Sequence, residues 1–171
     1  MNNIILIGFM GVGKGSVARE IVKQSEMIAL DTDDVIESME NRKIKKIFAK
    51  EGEAYFRALE HKVALWLQKE VSGTLISTGG GFFKVPNLSE IGTVVYLSAP
   101  FETIYQRIRA HPNAKSKLRK RPLFQDIDKA KKLYEERAPL YKEAADIVID
   151  VSGKELDEIA GEILQKVRQD D

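Results

Sequence analysis

The chain contains no cysteine. That excludes disulfides, thiolate-held metals and cysteine nucleophiles, and is compatible with a reducing cytoplasm. Only two histidines are present, His61 and His111. They have neither metal-ligand spacing nor an evident nucleophile partner, and both are expected to be solvated. A long hydrophobic run is missing too. No window approaches the roughly 18 apolar residues of a membrane span, and the apolar N-terminal stretch lacks the basic flank of a signal peptide. Nor does one sign of charge dominate: 27 Lys and Arg face 26 Asp and Glu, which gives no overall electrostatic argument for nucleic acid or an anionic membrane. There is no internal repeat, low-complexity tract or dividing linker. What remains, 171 residues with 43% hydrophobic and 31% charged, suits a single domain spanning 1–171 with a sizeable core. It is expected in the cytoplasm, with no nucleic-acid or membrane partner and as a monomer.

Residues 8–16 organise the chain. They read Gly8-Phe9-Met10-Gly11-Val12-Gly13-Lys14-Gly15-Ser16 and follow the apolar run Ile4-Ile5-Leu6-Ile7. A polyanion needs several backbone N–H groups pointed inward, and side chains at Gly8, Gly11 and Gly13 would obstruct that approach. A helix beginning near Lys14 adds its positive dipole end, and the lysine can reach the outer phosphates. The spacing matches G-x-x-x-x-G-K. The next position, usually Ser or Thr, is Gly15, and the hydroxyl comes one residue late at Ser16. The alternative is a glycine-rich turn that binds nothing.

Short apolar strands alternate with helical stripes along the chain. Strands are expected at 27–30, 74–77, 93–97 and 147–149 besides the first, and helices at 14–23, 34–39, 44–50, 53–70, 100–109 and 126–145, the last of these bent near Pro139. On the 53–70 helix Leu59, Val63, Trp66 and Leu67 read as an inward stripe, and Met39 reads as inward on the helix before it. Ser152 with Glu155 forms a capping-box pattern for a final helix. Such alternation implies an α/β fold with a parallel sheet covered on both faces, its ligands at the carboxyl ends of the strands.

Three unusual motifs follow strands directly and should therefore converge. One is the glycine loop. Another is Asp31-Thr32-Asp33, whose two carboxylates could hold magnesium through water and orient a substrate hydroxyl, or simply cap the next helix. The third is Gly79-Gly80-Gly81. Three glycines are costly in backbone entropy and suggest a ligand lying against the backbone or a nest of N–H groups; a hinge is the alternative. Arg57 sits on a core-facing helix with Glu60 at i+3 to hold it, and a surface salt bridge is its plain reading. The stretch 111–125 carries Lys115, Lys117, Arg119, Lys120 and Arg121 and no acid. It reads as a mobile lid over phosphates, with an RNA-binding patch or a solvated loop as alternatives.

Taken together, these motifs resemble shikimate kinase over nearly the whole chain. The resemblance rests on Gly8 to Lys14, Leu30-Asp31-Thr32-Asp33, Ile47-Phe48 through Gly52-Glu53 to Phe56-Arg57, Ser77-Thr78-Gly79-Gly80-Gly81, Arg121-Pro122-Leu123 and Arg137-Ala138-Pro139-Leu140-Tyr141. It implies a three-layer P-loop fold of the nucleoside-monophosphate-kinase type, with five parallel strands in the order 2-3-1-4-5. It also implies a lid at about 111–125 and a shikimate-binding helical region at about 33–62. The implied reaction transfers the ATP γ-phosphoryl group to the shikimate 3-hydroxyl, on the route to chorismate and aromatic amino acids. In such enzymes the residue matching Asp33 binds the accepting hydroxyl and serves as its base. Arg57 and Arg137 would hold the carboxylate, and Gly79, Gly80 and Gly81 would lie along the ring hydroxyls. Asp31 would help to hold Mg2+ through water. Gly11, Val12, Gly13, Lys14, Gly15 and Ser16 would hold the nucleotide, Arg121 would approach its phosphates from the lid, and Arg107 would cover the adenine.

Gly15 departs from the family pattern, in which a Ser touches magnesium. Adenylate kinases carry Gly-Lys-Gly-Thr at the same place, so the change is tolerable in a related fold. Magnesium is then expected to gain a water, and restoring Ser at position 15 should lower the magnesium requirement. The rival readings are another small-molecule kinase of this fold, acting on gluconate or a nucleotide, and a non-catalytic nucleotide-binding homologue. Two arginines and an acid suit a carboxylated polyol better than a base.

Overall fold

Residues 2–116 and 122–170 are described by the structure, a computed structural model. Strand β1 (Asn3–Ile7) is buried at every position, as a strand in the middle of a sheet covered on both faces must be. It pairs in parallel with β3 (Thr74–Ser77) on one side and β4 (Gly92–Ser98) on the other. The edges are β2 (Ile28–Asp31) beside β3 and β5 (Ile147–Asp150) beside β4. The order is therefore 2-3-1-4-5, as expected. Solvent reaches the edges: Ile28 is 77% exposed, and β5 alternates between buried and exposed positions.

Eight α-helices are described, flanking the sheet: α1 (Lys14–Gln24), α2 (Thr32–Glu40), α3 (Ile44–Glu51), α4 (Glu53–Glu70), α5 (Leu88–Ile91), α6 (Phe101–Ala110), α7 (Ile127–Ala144) and α8 (Leu156–Asp170). Helix α7 continues through Pro139. The stripe Ile159, Ala160, Ile163 and Val167 buries α8, which packs on α1. At the opposite end of the sheet from the ligand side, the buried Asn3 acts as a polar rivet. Its amide donates to Val71 O (2.8 Å) and Ile91 O (2.9 Å), and its Oδ1 accepts from Thr74 N (3.0 Å). Among the described residues no helix is long and apolar enough to cross a membrane.

Register brings the strand ends level. Ser77 of β3 pairs with Leu6 of β1 and Asp31 of β2, so the segments that follow these three strands leave the sheet side by side.

Three local expectations fail. Trp66 is 43% exposed, because α4 buries Phe56, Glu60, Val63, Ala64 and Leu67, a face rotated away from it. Met39 is likewise 43% exposed; the buried side of α2 is filled by Thr32 and Ile36, spaced four apart. The Ser152–Glu155 capping box does not form. Helix α8 begins at Leu156, and the Ser152 amide donates to Asp150 Oδ1 (2.9 Å) in a turn that uses Gly153 at φ 68°, a local bond that competes with the cap.

Candidate active site

The loop between β1 and α1 is shaped by backbone that only glycine adopts without strain: Gly11 has φ 88° and Gly13 φ 106°. Space adds a second constraint. A Cβ on Gly11 would collide with Ile108, and one on Gly13 would stand 3.0 Å from Arg107 Nη1. Arg107 reaches across from α6 and donates to Val12 O at 3.0 Å. The buried Lys14 folds back over the loop, with Nζ 2.6 Å from Gly8 O and 3.1 Å from Phe9 O. No acidic residue stands in the first turn of α1, so nothing there opposes its positive end. Phe9 anchors the loop in an aromatic box, edge-on to Phe101, Phe124 and Tyr134 at 6.4, 6.1 and 5.3 Å.

Beside this loop, Asp31 ends β2 and caps α2, its Oδ1 accepting from Asp33 N (2.8 Å) and Asp34 N (3.2 Å). The cap and the site are thus the same residue. Asp33 is not on a continued strand; it already belongs to α2. Burial pushes its carboxyl up to about 7, reinforced by the charges of Asp31 and Glu60 and opposed by Lys14. Burial also raises Asp31, against the amides of Asp34 and Asp33. Asp33 Oδ1 is buried and has no hydrogen-bond partner among the described residues.

The triple glycine explains why three are needed. A Cβ on Gly79 would lie 2.7 Å from Asp33 Oδ1, one on Gly80 would lie 3.3 Å from Arg137 Nη1, and one on Gly81 would occupy the Arg57 guanidinium. None of the three has a left-handed φ. Each is glycine because a different charged side chain stands against it. Gly79 N donates to Thr32 Oγ1 (3.2 Å), which ties this turn to the start of α2.

Arg57 and Arg137 come to the turn from α4 and α7. Arg57 donates to the almost fully buried Glu60 at 2.5 Å, and Glu53 adds a longer contact at 3.4 Å. Burial raises the Glu60 carboxyl and Arg57 lowers it; its Oε2 has no partner among the described residues. Arg137 Nε is also buried and unpartnered among the described residues. One turn after Arg137, the fully buried Tyr141 donates to Gly80 O at 2.6 Å. Burial pushes its hydroxyl up to about 12. A cleft of about 580 Å³ opens between α4 and the turn, lined by Glu53, Arg57, Glu60, His61, Gly81 and Lys84 among others.

Of the residues read from the sequence, Gly11, Val12, Gly13, Lys14, Asp31, Asp33, Arg57, Gly79, Gly80, Gly81, Arg107 and Arg137 converge here, and Gly15 and Ser16 open α1 at its rim. Arg121 lies outside the described residues, as do Lys117, Arg119 and Lys120. His61 is exposed at the cleft, and His111 Nδ1 accepts from Asn113 N. Sequence reasoning missed Thr32 and Tyr141 as parts of the site. The available signal for Tyr141 was its place four residues after Arg137, on the same helical face.

The family model for shikimate kinase matches residues 10–168. The chain is 39% identical over 165 residues to the shikimate kinase of Helicobacter hepaticus, covering 96% of this chain and 95% of the relative. It is also 39% identical over 174 residues to that of Dehalococcoides mccartyi, covering 98% and 94%. Among solved structures, shikimate kinase from Acinetobacter baumannii in complex with shikimate superposes with a TM-score of 0.86 at 33% identity, over 99% of this chain and 94% of that one. The enzyme from Aquifex aeolicus gives 0.80, also at 33% identity, over 98% and 97%. A family match over most of the length, on the fold and strand order described above, has one consequence: this chain belongs to the shikimate kinase family of phosphotransferases.

Proposed function

We propose that the chain phosphorylates the 3-hydroxyl of shikimate with ATP in the cytoplasm, as a monomer, and that the residues gathered at the three strand ends carry out the reaction. The observation that carries this reading is the triple glycine with Asp33, Arg137 and Arg57 pressed against its three members in turn. An acid and two planar cations fixed on one turn match a small ring bearing a carboxylate and hydroxyls. Arg57 and Arg137 receive the carboxylate, and Gly79 to Gly81 leave room for the ring. Asp33, its carboxyl pushed up to about 7, takes the proton of the attacking hydroxyl at its unpartnered Oδ1. The loop amides, Lys14 and the start of α1 hold the polyphosphate, with Gly15 and Ser16 at its near corner. Arg107, already on the loop, walls the nucleotide side.

The donor set fits magnesium. Asp31 and Asp33 offer hard carboxylate oxygens two residues apart, and among the described residues no group of three or more metal-binding side chains is found. An ion that retains most of its waters needs no more. Held there by Asp31 through water, Mg2+ would supply charge neutralisation at the phosphates.

The test is ADP release by the purified protein with ATP and magnesium, offered shikimate, gluconate or AMP. Release with shikimate alone supports the reading. Release with another acceptor keeps the fold and overturns the substrate, and nucleotide binding without turnover would favour a non-catalytic homologue.

A further inference from the structure

The phosphate loop leaves one departure unexplained: Gly15 offers no side chain where the family places a hydroxyl. The structure holds a neighbouring group at that place. Arg19 stands one helical turn after Gly15, and helical side chains lean back toward the N-terminus. Its guanidinium does so. Nη2 lies 3.3 Å from Ser16 Oγ, and Nη1 lies 3.5 Å from the point where a Cβ on Gly15 would be; among the described residues no other side chain, apart from those of its chain neighbours, comes within 4 Å of that point. No carboxylate within ion-pair distance neutralises Arg19 among the described residues; the nearby Glu20 is engaged with Lys23 and Gln24. The first turn of α1 carries no acid either.

We propose that Arg19 is a nucleotide-binding residue of this chain: its guanidinium donates, beside Ser16, to phosphate oxygens of the bound nucleotide over the space left by Gly15. The inference rests on the kinase reading above and extends it to a residue outside the glycine-lysine motif. A planar fork with several donors suits phosphate oxygens. Its charge neutralises them without a metal, so part of the work of the missing hydroxyl and its ion passes to a side chain. Gly15 leaves this space open, and a Cβ there would only touch Arg19 Nη1 at 3.5 Å, an ordinary van der Waals contact.

The test measures ADP affinity by calorimetry for the wild type, Arg19→Ala, Arg19→Lys, Gly15→Ser and the double variant Gly15→Ser/Arg19→Ala, each with EDTA and with magnesium. Melting curves check that every variant is folded. Arg19→Ala should weaken ADP binding about tenfold in EDTA, the scale of a charged hydrogen bond, with partial recovery in Arg19→Lys. In magnesium the loss should be smaller in the Gly15→Ser background than in the wild type. ADP binding by Arg19→Ala within twofold of wild type under both conditions would overturn the proposal while leaving the kinase reading intact. Failure of the wild type to bind ADP at all would overturn both.

Discussion

At the scale of single residues, the site conflicts with stability, and Asp33 carries most of the conflict. It is buried beside Asp31 and Glu60, whose charges Lys14 opposes. A carboxyl whose folded value is raised, here from 3.8 to about 7, binds its proton more tightly in the folded chain than in the unfolded one. Folding is therefore penalised as pH rises from 3.8 toward 7, and the penalty is complete above 7. At 1.36 kcal/mol per pH unit, that interval corresponds to at most about 4 kcal/mol, less after relaxation of a partly solvated site. Asp33→Asn should accordingly raise the melting temperature of the metal-free protein at pH 8, with the gain fading by pH 4. The same substitution should lower kcat by about 100-fold or more, as the loss of a general base does. Melting scans across pH in EDTA, paired with the ADP-release assay, check both halves. A melting temperature that falls at pH 8 would refute the electrostatic account. The glycines make a complementary prediction. Gly81→Ala puts a methyl group where the Arg57 guanidinium stands, so shikimate should bind about tenfold more weakly, the scale of one charged hydrogen bond. ADP affinity should stay unchanged, and calorimetry with each ligand separates the two.

At the scale of elements, α7 is joined to the glycine turn by one bond. The Tyr141 hydroxyl donates to Gly80 O across 61 residues of sequence, and its ring packs on Phe83 and Tyr96 at 4.6 and 5.2 Å. Because Arg137 lies one turn away on the same helix, this bond sets where the arginine meets the turn. Tyr141→Phe keeps the packing and removes the bond, at a cost of about 1 kcal/mol. The KM for shikimate should rise several-fold with a smaller change in kcat and none in ADP affinity; a change in kcat alone would assign Tyr141 another part. The element scale also separates what the sequence made legible from what it hid. The order of elements and the convergence of the three glycine- and aspartate-bearing motifs followed from strands alternating with helices. The stripe on α4 was misplaced because Glu60 lies on its buried face. A carboxylate held inside to orient Arg57 breaks the apolar pattern, and counting only apolar residues rotates the apparent face onto Trp66. The site was hidden in the same way at Tyr141, whose role depends on a carbonyl far away in the chain. Strand order came from family resemblance, since periodicity does not rank neighbours.

At the scale of the whole molecule, the site joins parts that are distant in sequence. Asp33 arrives on α2, Arg57 on α4 and Arg137 on α7, and the glycine turn leaves β3 between them. A ligand that touches all of them binds only the folded chain, so its binding free energy adds to global stability. At a shikimate concentration about 100 times Kd the addition is about 2.7 kcal/mol. At roughly 2–4 °C per kcal/mol for a chain of this size, the melting temperature should rise by about 5–10 °C. Arg57→Ala and Arg137→Ala should each remove most of that rise. Tyr141→Phe should reduce it in part, because both arginines remain. Gluconate offers a carboxylate and hydroxyls without a rigid ring, and should stabilise much less at equal concentration. An equal shift with gluconate would mean that the arginine pair reads the carboxylate alone, and that the glycine turn contributes nothing to choosing the ring.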